Sequence, residues 1–510
     1  MHRPVRISLA IHSGAGCHTV ATIGDALVVG IRENDSGTAE ETHRMWSPFS
    51  QPTLPVRLPQ ESGALRTQDN LIVPPEVGGP PLPEAKGLAA WNAPVHRDGL
   101  ALVVSSGLSS IVGLGYWVLV ARLFSPAEAG VNSAALATLA MLGGIAHLNM
   151  QNALLRFVPV AGPRSTKLVT VGYVIAIAAA ALIGAGFALG APLWAPEMVG
   201  VAGLGALVVF FMIGTPLMAL FDVQDNLLTG LRKAMVVPLE NLLFSLLKVG
   251  LLLVAAVLAI PGGIGISWIA ATGVAVVVVS IWIFSSVLPK HSATTRETEP
   301  VTVRGIAHFA GMDYAGSIFW HAAIYGLPLL VLARLGAPDA ATYQIVWTMT
   351  MAIYLVVTGM TQSMVAHGAT DPAGADAARR STTKRALMLT VPAVAVLTLG
   401  AYPILSIFGE HYTETGTGAL VLASLSALPN IVTASALAAA RVQRRMRVLF
   451  GVPAAIATIV IGMSWVVAPW WGLTGVGLSW LVGQTVVALA LLVHGRVMHG
   501  NALAAAPSAG

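Results

Sequence analysis

The chain has 510 residues, 55% hydrophobic and only 10% charged, with a formal net charge of +5. A soluble domain carries about 25% charged residues, so a water-facing surface on every side is excluded. The basic excess is not a nucleic-acid footprint, because it sits in short loops between apolar runs.

Residues 1–96 differ from all that follow. They hold eleven prolines, ten of them before Pro94, with clusters at Pro74-Pro75 and Pro80-Pro81, and no apolar stretch of spanning length. The start is basic but lacks the sustained apolar core of a signal peptide. Composition predicts a disordered cytoplasmic extension over 1–96; the other reading is a misassigned start, with Met45 or a later site as the true beginning. The lone Cys17 excludes an intramolecular disulfide and argues against a cysteine metal centre.

A bilayer core about 30 Å thick takes roughly 20 apolar residues to cross as helix. Such runs begin at residue 99 and cover 99–121, 131–150, 168–190, 201–221, 239–260 and 265–288. After a polar loop come 307–333, 341–365, 386–408, 418–440, 448–469 and 473–495. The expected fold class is therefore an all-α integral membrane protein with about twelve transmembrane helices. The expected division is an N-terminal six-helix lobe over 97–306, a C-terminal six-helix lobe over 307–497 and a short cytoplasmic tail over 498–510.

Loop charge supports the count. Sixteen basic residues, from Arg156, Arg164 and Lys167 through Arg445 and Arg447, lie in the loops after even-numbered runs. The loops after odd-numbered runs hold only Arg122 and Arg334, with Glu128, Glu197, Asp339, Glu410 and Glu414. Positive-inside bias then places both termini in the cytoplasm, in a multi-pass protein of the inner membrane. Trp194, Trp470 and Trp471 fall in the outward loops, at the level where aromatic side chains favour the interface.

The two halves resemble each other at an offset of 212 residues. LVARLFSPAEAG (119–130) aligns with VLARLGAPDAAT (331–342), pairing Arg122 with Arg334 and Pro126 with Pro338. The same offset pairs Lys167 with Arg379, and Arg232-Lys233 with Arg444-Arg445. Two six-helix halves that both start inside form a parallel repeat, an arrangement in which transporters bind substrate between the halves.

The stretch SSGLSSIVGLGYWVLVARLFSPAEAGVNSAALA (105–137) resembles the first helical hairpin of Wzx-type polysaccharide exporters, in the multidrug/oligosaccharidyl-lipid/polysaccharide exporter superfamily. QNALLRFVP (151–159), GLRKAMVVPLENLLFSLLK (230–248) and QSMVAHGATDP (362–372) extend the resemblance across 99–497. The resemblance implies flipping or export of a lipid-linked oligosaccharide for envelope polysaccharide synthesis, with the bilayer and envelope polysaccharide synthesis proteins as partners. The 1–96 extension departs from that pattern. A cation-coupled drug or small-molecule antiporter of the same superfamily, and a non-transporting envelope scaffold, are the alternatives.

Ionisable residues inside spans cost about 2.5–3.5 kcal/mol on insertion scales and usually face a cavity or a partner. The candidates for substrate contact are Lys248 and Glu240 in run 5, Asp313 and His321 in run 7, and Arg156 just after run 2. Each pair is eight residues apart, about 800° of helical rotation, and so lies on roughly one face. Arg156 suits a diphosphate because guanidinium offers a bidentate fork. Each also has a structural reading: Lys248 paired with Glu240 or snorkelling, Asp313 favouring a helix start, His321 as a packing histidine, Arg156 as a topology anchor. Pro216, Pro238, Pro328, Pro403 and Pro429 lie in or beside spans, where proline permits bends.

No phosphate-binding GxxxxGK[ST] loop, HExxH or Cys/His cluster occurs, so no cofactor and no metal are expected. The outward loops are too short to house a catalytic site, which argues against an enzyme. Reporter fusions after residues 165, 295 and 378 should read cytoplasmic, and fusions after 195 and 412 external; one inverted reporter would break the twelve-span topology.

Overall fold

The computed structural model describes residues 112–298, 301–368, 375–443 and 445–504. The expected extension 1–96 and the first half of run 1 lie outside them. The described residues are helical, with no strand among them.

In chain order the elements are α1 (Val112–Leu123), α2 (Pro126–Ala146), α3 (Met150–Phe157), α4 (Ser165–Trp194), α5 (Pro196–Ala202), α6 (Leu204–Gly230), α7 (Val236–Val257) and α8 (Gly263–Trp282). A π-helical turn, Ile283–Val287, joins α8 to α9 (Leu288–Thr294). Then come α10 (Val303–Leu335), α11 (Ala337–Gly368), α12 (Ala375–Leu399), α13 (Ala401–Ser406), α14 (Glu410–Leu425), α15 (Ala427–Val442) and α16 (Met446–Ala504).

Among the described residues, eight helical segments are long and apolar enough to cross a bilayer, and nine with the pair α14 and α15, bent by 40°. Gly472, at φ 57° and ψ −144°, breaks α16 into two legs, a conformation that glycine adopts without a Cβ penalty. Counting the two legs of α16 separately and adding the shorter apolar helices α1 and Ala386–Leu399, the described residues supply twelve apolar helical segments.

The repeat is visible in the helix starts. Moving the first residues of α2, α4, α6 and α7 on by 212 gives 338, 377, 416 and 448, against observed starts at Ala337, Ala375, Glu410 and Met446. The same shift carries the start of α8 to 475, just past the break at Gly472. The halves are related by a parallel repeat of six crossings each.

Local chemistry explains where α2 begins. Ser125 accepts from the Glu128 backbone N–H, and the Glu128 carboxylate accepts from the Ser125 backbone N–H, a reciprocal cap with Pro126 at the first helical turn. The helix ends where Leu148 and Asn149 both take positive φ, 51° and 59°, turning the chain into α3. Asn149 donates from its side chain to the Ala310 carbonyl of α10, at 3.0 Å, which fixes that turn against the other half.

α2 is the element on which the halves meet. It packs against α6, α4 and α8 of its own half and against α10 and α11 of the other. A Cβ on Gly130 would overlap the Ala337 carbonyl at the start of α11, and one on Gly144 would overlap the His321 ring of α10. Small residues let helix backbones approach in this way where hydrophobic driving force is weak. The buried core runs through the same contact, from Tyr116 and Leu139 to Leu327, Val331 and Tyr343.

Gly130→Ala should lower thermal stability in detergent by about 1–3 kcal/mol, because the added methyl has no space. Gly250→Ala, whose Cβ would meet nothing within 4 Å, should be neutral or stabilising, as alanine is the better helix former by about 1 kcal/mol. Equal effects from the two would refute the close approach.

Candidate functional site

The N-terminal half holds most of the described buried charge. Lys248 lies midway along α7 and is only 4% exposed. Its ammonium sits 3.7 Å from the ring centroid of Trp268 on α8, 4.6 Å from that of Tyr116 on α1 and 4.9 Å from that of Phe244 one turn earlier on α7. Cations within about 6 Å of an aromatic face are attracted by its quadrupole, more strongly when desolvated. Tyr116 and Trp268 meet at 83° and Phe244 and Trp268 at 71°, so the rings form walls and do not stack on one another. The Tyr116 hydroxyl donates to the Ile264 carbonyl at 3.2 Å and lies 3.5 Å from Ser267 Oγ, which ties α1 to α8.

Glu240 lies two turns toward the basic-loop side of the same helix. Eight residues rise about 12 Å, too far for an ion pair between them. The structural reading of Lys248 as the partner of Glu240 is therefore corrected: the side chains share a helix face but not a contact. Glu240 is 5% exposed, and neither carboxylate oxygen has a hydrogen-bond partner. Asp225 of α6 lies within electrostatic reach of it, and Asp222 within reach of Asp225. Tyr173 lies within hydrogen-bonding reach of Gln224 and Ser280, and Asp225 within reach of Asn241 on α7. The Gln224 amide nitrogen is satisfied, donating to the Val276 carbonyl and to Ser280 Oγ.

Asp222 and Asp225 escaped the reading of the sequence because run 4 was closed at residue 221. The helix continues to Gly230, carried by Val223, Leu227 and Leu228, all fully buried. No group of three or more His, Cys, Asp or Glu among the described residues is arranged to hold a metal.

His321 faces the N-terminal half. Its Nδ1 lies 2.7 Å from the Ser317 carbonyl, and its ring meets the His147 ring edge-on at 6.5 Å. Together with the tight fit over Gly144, this places it in the contact between α2 and α10. Tyr314 seals the same contact by donating to the Ile145 carbonyl at 2.7 Å. Arg156 is exposed on α3, at the basic-loop side. Asp313 lies on α10, but its side chain falls outside the described residues. Lys248 and Glu240 thus lie at different depths of α7, Arg156 lies on α3, and His321 lies beside Tyr325, whose ring is 5.9 Å away and within electrostatic reach of Asp222.

The C-terminal half is centred on aromatic residues. Trp347 stacks on Trp480 at 4.3 Å, and Trp480 donates its indole N–H to the Tyr343 hydroxyl at 3.1 Å. Trp480 and Tyr343 are essentially inaccessible, and this cluster is packing.

The two repeat arginines behave differently. Arg334 donates to the Trp465 carbonyl at 3.1 Å and lies over the Trp465 ring, within its own half. Arg122 crosses to the other half, donating to the Ile407 carbonyl at 3.0 and 2.6 Å and to the Ser406 carbonyl at 3.4 Å.

No protein-family model matches the sequence, and no curated protein matches it. Solved structures do match in fold. An inward-facing multidrug resistance MATE family transporter of the MOP superfamily is 16% identical, with a TM-score of 0.61 over 80% of this chain and 100% of that one. An outward-facing conformation of such a transporter gives 15% identity and a TM-score of 0.55, covering 80% and 96%. A MOP superfamily transporter from Pyrococcus furiosus, in which reverse polarity of the binding pocket suggests a different function, gives 15% and 0.55, covering 79% and 94%. The chain has the two-half helical fold of these membrane proteins.

If Lys248 and Glu240 are energetically separate, Lys248→Gln and Glu240→Gln should change thermal stability additively, with a coupling below about 0.5 kcal/mol. A double mutant that recovers the stability lost by either single variant would restore the ion-pair reading.

Proposed function

We propose that this protein moves a lipid-linked oligosaccharide across the cytoplasmic membrane, its two halves rocking to expose the substrate first inside and then outside. The observation that carries this reading is the Lys248 ammonium: buried in the N-terminal half, held by aromatic faces and opposed by no carboxylate at ion-pair distance among the described residues. A buried lysine with no carboxylate partner leaves its N–H donors and its positive charge to be stabilised by an anionic ligand, and a diphosphate linking sugar to lipid is such a ligand. The fold shared with transporters in inward- and outward-facing conformations supports the alternating motion. In this reading Arg156, exposed at the basic-loop side, meets the diphosphate on entry, and the glycosyltransferases of envelope polysaccharide synthesis supply it.

A second reading has its own support. The unpartnered Glu240 carboxylate, with Asp225 and Asp222 near it, is suited to taking up a cation, as a coupled antiporter of small molecules requires. The two readings separate by ligand.

In vesicles loaded with a lipid-linked oligosaccharide, Lys248→Gln should reduce flipping at least tenfold at normal expression, and Lys248→Arg should keep part of it. Full flipping by Lys248→Gln would sink the anion-site reading. Cation-dependent drug uptake that is lost in Glu240→Gln, without any flipping, would establish the second.

A further inference from the structure

The walls around Lys248 form a complete binding site in their own right. Three ring faces, contributed by α1, α7 and α8, surround one ammonium at 3.7, 4.6 and 4.9 Å. Steep ring-to-ring angles hold them open as a box, and the Tyr116 hydroxyl, bonded to the Ile264 carbonyl, fixes one wall independently of the lysine. Further rings brace it: Trp117 meets Tyr116 edge-on at 5.5 Å, and Phe221 backs Phe244 at 5.1 Å. Boxes of this kind recognise alkylammonium groups, whose spread charge pairs with ring quadrupoles without any hydrogen bond. Lys248 reaches the box from the helix that also supplies Phe244, four residues away on the same face.

The geometry points to Lys248 as a tethered occupant of an organic-cation site, a specificity residue that keeps alkylammonium ligands out by filling their cage. A covalently attached ammonium competes with free cations at a very high effective concentration, so the intact protein rejects them. An arriving onium ion would also meet the lysine's own charge, an element of repulsion of the sort by which selective sites exclude wrong ligands. Truncating the side chain vacates the volume of a propylammonium group between the rings and removes that charge together. The inference concerns the same side chain as the proposed transport reading but a different ligand, and it holds whether or not the lysine also touches a diphosphate.

The test reads binding, not transport. Purified Lys248→Ala protein in detergent is titrated with tetramethylammonium while tryptophan fluorescence is followed, with tert-butanol as an uncharged control of similar shape. Saturable quenching by tetramethylammonium should appear in Lys248→Ala and be at least tenfold weaker in the unsubstituted protein. Lys248→Met, which refills the cage without charge, should bind no better than the unsubstituted protein, and Lys248→Ala combined with Trp268→Leu should lose the signal. Equal binding by the unsubstituted protein, no binding by folded Lys248→Ala, or an equal response to tert-butanol would each overturn the inference. Should Lys248→Ala and a second truncation, Lys248→Ser, both fail to fold, amine acetylation of the full protein decides. Trp268→Leu should then speed modification of Lys248 at least tenfold, and an unchanged rate would overturn the cage. Because flipping is not measured, loss of the diphosphate reading through an active Lys248→Gln protein leaves this result standing, and the reverse also holds.

Discussion

Helix α2 touches both halves of the protein, and two glycines set how closely. At Gly130 the backbone lies against the Ala337 carbonyl, and at Gly144 against the His321 ring. A membrane interior offers little hydrophobic reward for bringing helices together, so their association depends on contact area and on hydrogen bonds. The Asn149 and Tyr314 side chains supply such bonds near the end of α2, each to a carbonyl on the opposite half. The depth of α10 and α11 beside α2 is therefore fixed by backbone proximity, and on those two pack α16, α12, α14 and α15 of the C-terminal half.

Polarity is divided unequally between two halves of the same topology. In the N-terminal half, the interior carries a lysine among rings, three acids on α6 and α7, and several buried oxygens with no donor. The core of the C-terminal half is built on indoles and phenols, some joined by hydrogen bonds, as in Trp480 to Tyr343 and Tyr354 to Ser426. Buried polar groups without partners occur in both halves; what sets the N-terminal half apart is that its buried groups include the charged side chains Lys248 and Glu240, which cost more free energy to bury than neutral ones.

Much of the architecture is legible in the sequence, because insertion leaves its trace in loop charge and repeat spacing. The offset that aligns Arg122 with Arg334 also aligns the starts of α2 and α11 to within a residue. What escaped did so for definable reasons. Asp222 and Asp225 depress the local hydropathy and so closed run 4 early, although the helix keeps its buried stripe of Val223, Leu227 and Leu228. The cage around Lys248 draws Tyr116 and Trp268 from positions 132 and 20 residues away respectively, and only Phe244, four residues off, is within reach of periodicity. The Lys248–Glu240 pairing failed because helical rotation gives direction but not distance: about 80° of offset leaves a shared face, while the rise separates the charges.

The arginine that crosses between the halves has a consequence for how they trade places. Duplication gives each half a guanidinium at the same point, yet Arg334 stays at home on Trp465 while Arg122 reaches over to the carbonyls of Ser406 and Ile407. Separating the halves on that side breaks the bonds of Arg122 and leaves those of Arg334 untouched. The acidic-loop rim is thus a door with its guanidinium bolt on one leaf: of the duplicated pair, Arg122 must let go when the rim opens, along with the backbone contact of Gly130 on Ala337, while Arg334 remains seated.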